Sequence, residues 1–238
     1  MRIIDPKTGK RLVNADAETL KSIKKKDPIK KHVEKDLEKI ENSPMDPPDA
    51  YNMEKTSGDS KLPELIQQFK TEHLVALGKI SDFESALAQF RNYGYKFDKK
   101  INEVFGDFFE FFDKNLLAHN IKEEKILFPL LHKRLVDSGE HSQSQKPRTG
   151  VDLLEDDHIK FIQLGALSFN LLGLGTRIQD ETSRMLIFDV AYNNGRELIE
   201  LLKLHIFRED NTLFPNAVKL INMEEFDQMQ EELKNLDI

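Results

Sequence analysis

Two stretches of the chain carry the same donor groups at the same spacing. HNIKEEKILFP, residues 119–129, returns 86 positions later as HIFREDNTLFP, residues 205–215. Each holds a His, a Glu four residues on, and a Leu-Phe-Pro beyond it. An α-helix turns about 100° and rises about 1.5 Å per residue, so His119 and Glu123 stand about 40° apart on one face and about 6 Å apart along the axis. His205 and Glu209 do the same, and each pair can reach a single ion. Two further histidines recur: His73 in TEHLVALGKI and His158 in EDDHIKFIQLG, 85 positions apart and each preceded by an acidic residue. Imidazole with carboxylate suits iron, manganese or zinc. The chain has no Cys, so thiolate ligands, disulfides and nucleophilic thiols are excluded.

These donors sit on long helical patterns over residues 61–92, 98–137, 151–178 and 182–220, followed by a short tail over 224–235. Strand signals are scarce, and the polar segment His141 to Gly150 reads as an exposed loop. Four long helices with short connections predict an all-α fold, an up-down-up-down four-helix bundle over residues 61–238. The equal spacing of both His pairs relates residues 61–137 to 151–221 as duplicated helical hairpins, paired about a pseudo-twofold axis. Residues 1–60 read as an N-terminal extension: a small hairpin over 2–13, a charged helix from Ala17 to about Glu41, and a Pro-rich linker over 43–60. The charged segment is expected to lie against the main body as a solvated helix, with a protein partner as its second reading.

Steps of three, four or seven residues from each His meet apolar side chains. Phe108, Phe112, Leu116, Ile126 and Leu127 surround His119; Leu198, Leu201, Leu202 and Leu213 surround His205. Ile66, Phe69, Leu77 and Ile80 share the face of His73, and Val151, Leu154, Phe161, Ile162 and Gly165 that of His158. All four histidines are therefore expected to point into the core. Four imidazoles and two carboxylates buried together need compensation, and a pair of cations supplies it. Two His per ion with Glu123 and Glu209 bridging leaves each ion short of six ligands, open to a small molecule.

The acidic residues Glu72, Asp157, Glu124 and Asp210 also recur, but at about 100° or 140° from their His. They read as solvated or outer contacts, not ligands. His32, His132 and His141 have no repeated partner and are expected at the surface or in loops. Phe105, Phe108 and Phe112 are expected in the core, where they could also wall the site. Pro129 and Pro215, six residues after each Glu, mark an expected helix kink or end.

A net charge of −7 disfavours nucleic acid as a partner. The start of the chain has no apolar signal core and no long apolar run follows, so a soluble, cytoplasmic protein without a membrane partner is expected.

At the two His-x-x-x-Glu copies and their Leu-Phe-Pro tails, the sequence resembles the hemerythrin-like family, the HHE cation-binding domain. The resemblance covers about residues 61–221 and implies two non-haem iron ions held by His73, His119, Glu123, His158, His205 and Glu209. Carboxylates and an oxo or hydroxo group would bridge them, although manganese and zinc accept the same donors. It also implies small ligands: O₂, NO or peroxide. Oxygen-carrying members add a fifth His one turn after the third-helix His, where this chain has Ile162. Four His with two Glu instead resembles the bacterial di-iron proteins that repair iron–sulfur clusters under nitrosative or oxidative stress. Those typically carry a Cys-containing N-terminal domain, which residues 1–60 do not match. The function implied is binding or reduction of a small oxidant or gas, in cluster repair or stress defence; the alternative is non-enzymatic O₂ or NO binding, sensing or iron handling.

Overall fold

The computed structural model describes residues 62–236, and among these every regular element is helical. The expected hairpin, charged helix and linker of residues 1–60 lie outside the described residues, as does His32. Helix α1 runs Glu64–Asn92 and buries Leu65, Phe69, His73, Ala76, Ile80, Phe83, Leu87 and Phe90, the three- and four-residue steps of a core-facing stripe. It stops at a tight turn in which Gly94 and Tyr95 both take positive φ. Tyr95 is held in that conformation, which side chains other than Gly rarely adopt, by its hydroxyl donating to Asp189 at 2.6 Å and by its ring against Phe90.

The second rod begins at α2, Lys99–Phe111, capped by the Asp98 carboxylate accepting from the Ile101 N–H. It passes through a π-turn at Phe112–Leu116, α3 at Leu117–Lys122, a second π-turn at Glu123–Leu127, and α4 at Phe128–Ser138. Gly139 ends it in the left-handed conformation that glycine adopts freely. Helix α5, Gly150–Gly175, starts from a capping box between Thr149 and Asp152. Helix α6, Glu181–Arg208, runs into a π-turn at Glu209–Leu213 and α7 at Phe214–Leu220. Helix α8, Met223–Lys234, follows a second capping box between Asn222 and Glu225. The four rods form the expected bundle, with the tail helix α8 beside it.

Neither Pro129 nor Pro215 ends its rod. Each lies just past a π-turn, where the Phe128 N–H bonds to the Glu123 carbonyl five residues back and the Phe214 N–H to that of Glu209. A proline has no N–H, and in an unbroken α-helix its ring strikes the carbonyl four residues earlier. The extra residue of the π-turn opens the helix there, and such turns gather at functional sites.

The interior divides into two apolar clusters. One, built on Phe83, Phe90, Phe105, Phe108 and Phe188, fills the half nearest the Tyr95 turn. The other, built on Leu65, Phe69, Leu127, Leu131, Leu154 and Phe214, fills the half nearest the 139–149 loop. Between them lies a layer of buried polar side chains.

Candidate metal centre

That layer contains all six side chains singled out from the sequence. His73, His119, Glu123, His158, His205 and Glu209 are each at most 5% exposed. One imidazole comes from each rod, and each carboxylate is the first residue of a π-turn. The donor atoms of His73, His119, Glu123 and Glu209 lie within 4.8 Å of one another, as do those of Glu123, His158, His205 and Glu209. The two groups share both carboxylates.

Each carboxylate spans the two histidine pairs. Glu209 sets Oε2 3.2 Å from His73 Nε2 and Oε1 3.1 Å from His205 Nε2. Glu123 sets Oε1 3.3 Å from His119 Nε2 and Oε2 3.6 Å from His158 Nε2. Within the pairs, the Nε2 atoms of His73 and His119 approach to 3.0 Å and those of His158 and His205 to 3.2 Å. Donors about 2.1 Å from a common ion and at right angles to each other stand about 3.0 Å apart, so these separations fit two adjacent cation positions.

The outer ring nitrogens are held by the recurring acids outside the six. Glu72 Oε2 lies 2.6 Å from His119 Nδ1, Glu124 Oε1 2.7 Å from His158 Nδ1, and Asp210 Oδ1 3.1 Å from His73 Nδ1. Asp157 stands 3.7 Å from His205 Nδ1, too far for a hydrogen bond but close enough to favour a charged ring. Glu72 accepts further from Lys122 at 2.7 Å, and Asp157 from Arg208 at 3.1 Å. The first histidine of each hairpin is gripped by the other hairpin, since Phe214 stacks on His73 and Phe128 on His158, with ring centroids 5.5 and 5.8 Å apart. The repeated Leu-Phe-Pro thus supplies a wall of the site as well as a turn.

A carboxylate at Nδ1 fixes the ring proton there and leaves the Nε2 lone pair facing inward. Two facing Nε2 atoms have room for one proton between them, and the four oxygens of Glu123 and Glu209 receive no hydrogen bond. Orphaned acceptors of this kind in an apolar bundle are expensive unless a cation lies among them. The set of nitrogen and oxygen donors fits iron, manganese or zinc.

Without a metal, protons carry the compensation. Burial opposes charge on His119, but Glu123 and Glu72 outweigh it and move its pKa up to about 10. His205 behaves alike: burial opposes, Glu209 and Asp157 prevail, and the pKa rises to about 9. His73 moves upward against its burial through Asp210 and Glu209. In His158 burial wins, helped by the neighbouring His205, and the pKa falls. Burial pushes Glu72 upward, yet His119, Lys122 and Gln68 bring it down to about 2.

Some expectations need correction. Ile162 does not share the buried face of His158; it is 46% exposed, and Phe161 lies against the ring instead, 5.4 Å between centroids. Phe105 and Phe108 pack into the distal aromatic cluster around Phe83 and Phe90, and Phe112 lies beneath Gly165. The rings against the imidazoles are Phe69, Phe128, Phe161 and Phe214. His132 is half-buried and braces the start of α5, with Nδ1 2.9 Å from Thr149 Oγ1. His141 is in the loop, as expected.

A bundle of four helices presenting two His pairs across two shared carboxylates defines a class of cation-binding domain. Residues 64–217 match the hemerythrin HHE cation-binding domain, and the chain belongs to that family. It is also similar to the iron-sulfur cluster repair protein YtfE of Cronobacter sakazakii, 30% identical over 105 residues. The match takes in 44% of this chain and 42% of that relative, so it spans under half the length of either. Among the described residues no helix is long and apolar enough to cross a membrane.

Proposed function

We propose that the six-residue layer is a non-haem di-iron centre that binds or reduces a small oxidant or gas: NO, O₂ or peroxide. His73 and His119 hold one ion, His158 and His205 the other, and Glu123 and Glu209 bridge. The observation that carries this reading is the span of each buried carboxylate, one oxygen toward each histidine pair, with no donor on any of the four oxygens. Four protein donors per ion leave coordination positions free for a small ligand, and bound iron would supply one-electron chemistry there.

The chain's own residues define the setting. Glu72, Glu124 and Asp210 keep ring protons on Nδ1, and Phe69, Phe128, Phe161 and Phe214 pack their rings against the imidazoles. Two ferrous ions would supply two electrons for one reduction, and with no Cys in the sequence repeated turnover would draw on an external donor. The likeness to a protein named for iron–sulfur cluster repair favours a role in cluster repair or stress defence. Stopped-flow spectra of the reduced protein mixed with NO or peroxide, followed by turnover under excess reductant, test the assignment. Consumption of the oxidant supports it; a reversible spectral change without consumption replaces it with carriage or sensing.

A further inference from the structure

The two duplicated hairpins meet solvent differently. Lys160 on α5 and Glu197 on α6 pair at 3.4 Å and mark the edge that these helices share at the surface. Leu167 and Leu174 follow Lys160 by seven and fourteen residues, and Val190 and Leu186 precede Glu197 by seven and eleven. Those steps are close to whole turns and keep all four on the shared edge. Leu167, Leu174, Val190 and Leu186 are 46, 40, 47 and 65% exposed. Gly175 of α5 packs on Phe188 of α6, so the helices stay side by side to the far end and the four side chains form one face. No charged residue occurs from Phe161 to Thr176, and Leu186 to Gly195 holds only Asp189, which accepts from the Tyr95 hydroxyl. The first hairpin is solvated instead. Asp82 and Gln89 stand on α1 where α5 has Leu167 and Leu174. Allowing for the residue that the π-turn Phe112–Leu116 adds, Lys99 and Glu103 stand on α2 where α6 has Leu186 and Val190, and they form an exposed ion pair. Single exposed apolar side chains are ordinary, whereas a continuous charge-free face marks a contact surface.

We propose that this face binds a second copy of the chain in a twofold dimer. Charge selects the partner. In a twofold contact the same patch meets itself, so a charge on it is brought toward its own like, and a net charge of −7 on each chain makes two copies repel elsewhere. A face without charge is where they can approach. Its ends are complementary. With the axis across the middle of the face, near Asn170, the two α5 helices run antiparallel and the far end of one copy meets the near end of the other. Arg177, whose guanidinium meets only the Gly173 carbonyl among the described residues, then comes to the end that carries Glu197. A lipid surface calls for basic residues around the apolar face, and no lysine of the chain lies between Lys160 and Lys203. Nothing in the contact depends on what the metal centre binds.

Sedimentation velocity of the full-length chain, from about 1 μM to about 1 mM, tests the contact. The wild type should associate reversibly to twice the 27.6 kDa of one chain. Leu174→Glu and Leu186→Glu each put a carboxylate at an exposed position of the face, and each should weaken the dimer about tenfold or more with helix content unchanged by circular dichroism. Leu74→Glu, at a 72% exposed residue of α1 outside the face, should leave association unchanged. A wild type with the mass of one chain throughout overturns the dimer. So does an assembly that Leu174→Glu or Leu186→Glu leaves intact, or that Leu74→Glu disrupts. A monomer that binds phosphatidylcholine vesicles through the same residues overturns it in favour of a lipid surface.

Discussion

A proton shared between two imidazoles occupies the place a metal ion would take, and each histidine pair here is built for one or the other. With pKa values near 10 and 9, His119 and His205 are protonated at neutral pH in the metal-free chain. Metal uptake therefore releases those protons, and affinity rises with pH. Calorimetry in buffers of different ionisation enthalpy should show the release; binding without it contradicts the shared-proton arrangement. In the metal-free chain the sign reverses. A His whose folded pKa is raised stabilises the fold fully below about 6.5 and loses that contribution as pH climbs through about 10. Thermal melts of metal-free protein should fall over that alkaline window. Glu72→Ala, which frees the outer nitrogen of His119, should weaken metal binding about 10- to 100-fold while leaving helix content intact. The four histidines and two glutamates proposed as ligands stood out in the sequence because they recur at equal spacing with the same Leu-Phe-Pro tail. Their orienting acids recur too, but helix geometry placed them off the ligand face without saying whose ring they would meet. Two of those contacts run between hairpins, as in Asp210 to His73, and no local periodicity encodes a contact 137 residues apart.

At the scale of elements, helix boundaries follow from caps and periodicity that local sequence carries: Asp98, Thr149 with Asp152, and Asn222 with Glu225 each start a helix. The π-turns were hidden. Two of them carry a mark, a proline six residues after a glutamate, that reads equally as a kink or a stop, and only packing decides that the rod continues; the one at Phe112–Leu116 has no proline. Deleting Lys125 would convert the second π-turn to plain α-helix and bring the Pro129 ring against the Glu124 carbonyl, then four residues earlier. That variant should bind less metal and melt lower, as metal-binding assays and circular dichroism would show. Close packing between rods sets a second expectation. A methyl group on Gly175 would lie 2.2 Å from Phe188, which is itself hemmed in by Phe90 and Phe97, so Gly175→Ala should cost about 1–3 kcal/mol in denaturant unfolding. Unchanged stability would mean that the aromatic cluster yields more readily than its packing indicates.

Across the described part of the molecule, a polar layer divides two apolar clusters, and the carboxylates in it have no partner but the histidines. Removing metal should therefore lower the melting temperature of the holo protein, because binding free energy is linked to folding. The bundle and its pseudo-twofold pairing were legible from the repeat, since duplicated hairpins must meet along the faces that carry the shared donors. The break in that symmetry was not. Ala76 opposite Phe161 looks like ordinary variation until the structure places the small residue beside one histidine pair and the large one beside the other.

The central claim is that six side chains from two hairpins hold a pair of metal ions. Elemental analysis of the purified full chain tests it most directly. About two ions per chain, predominantly iron, with a visible absorption band that disappears on chelation, is the result expected of a two-metal centre. A well-folded chain without stoichiometric metal, unchanged in stability by His119→Ala, would contradict it.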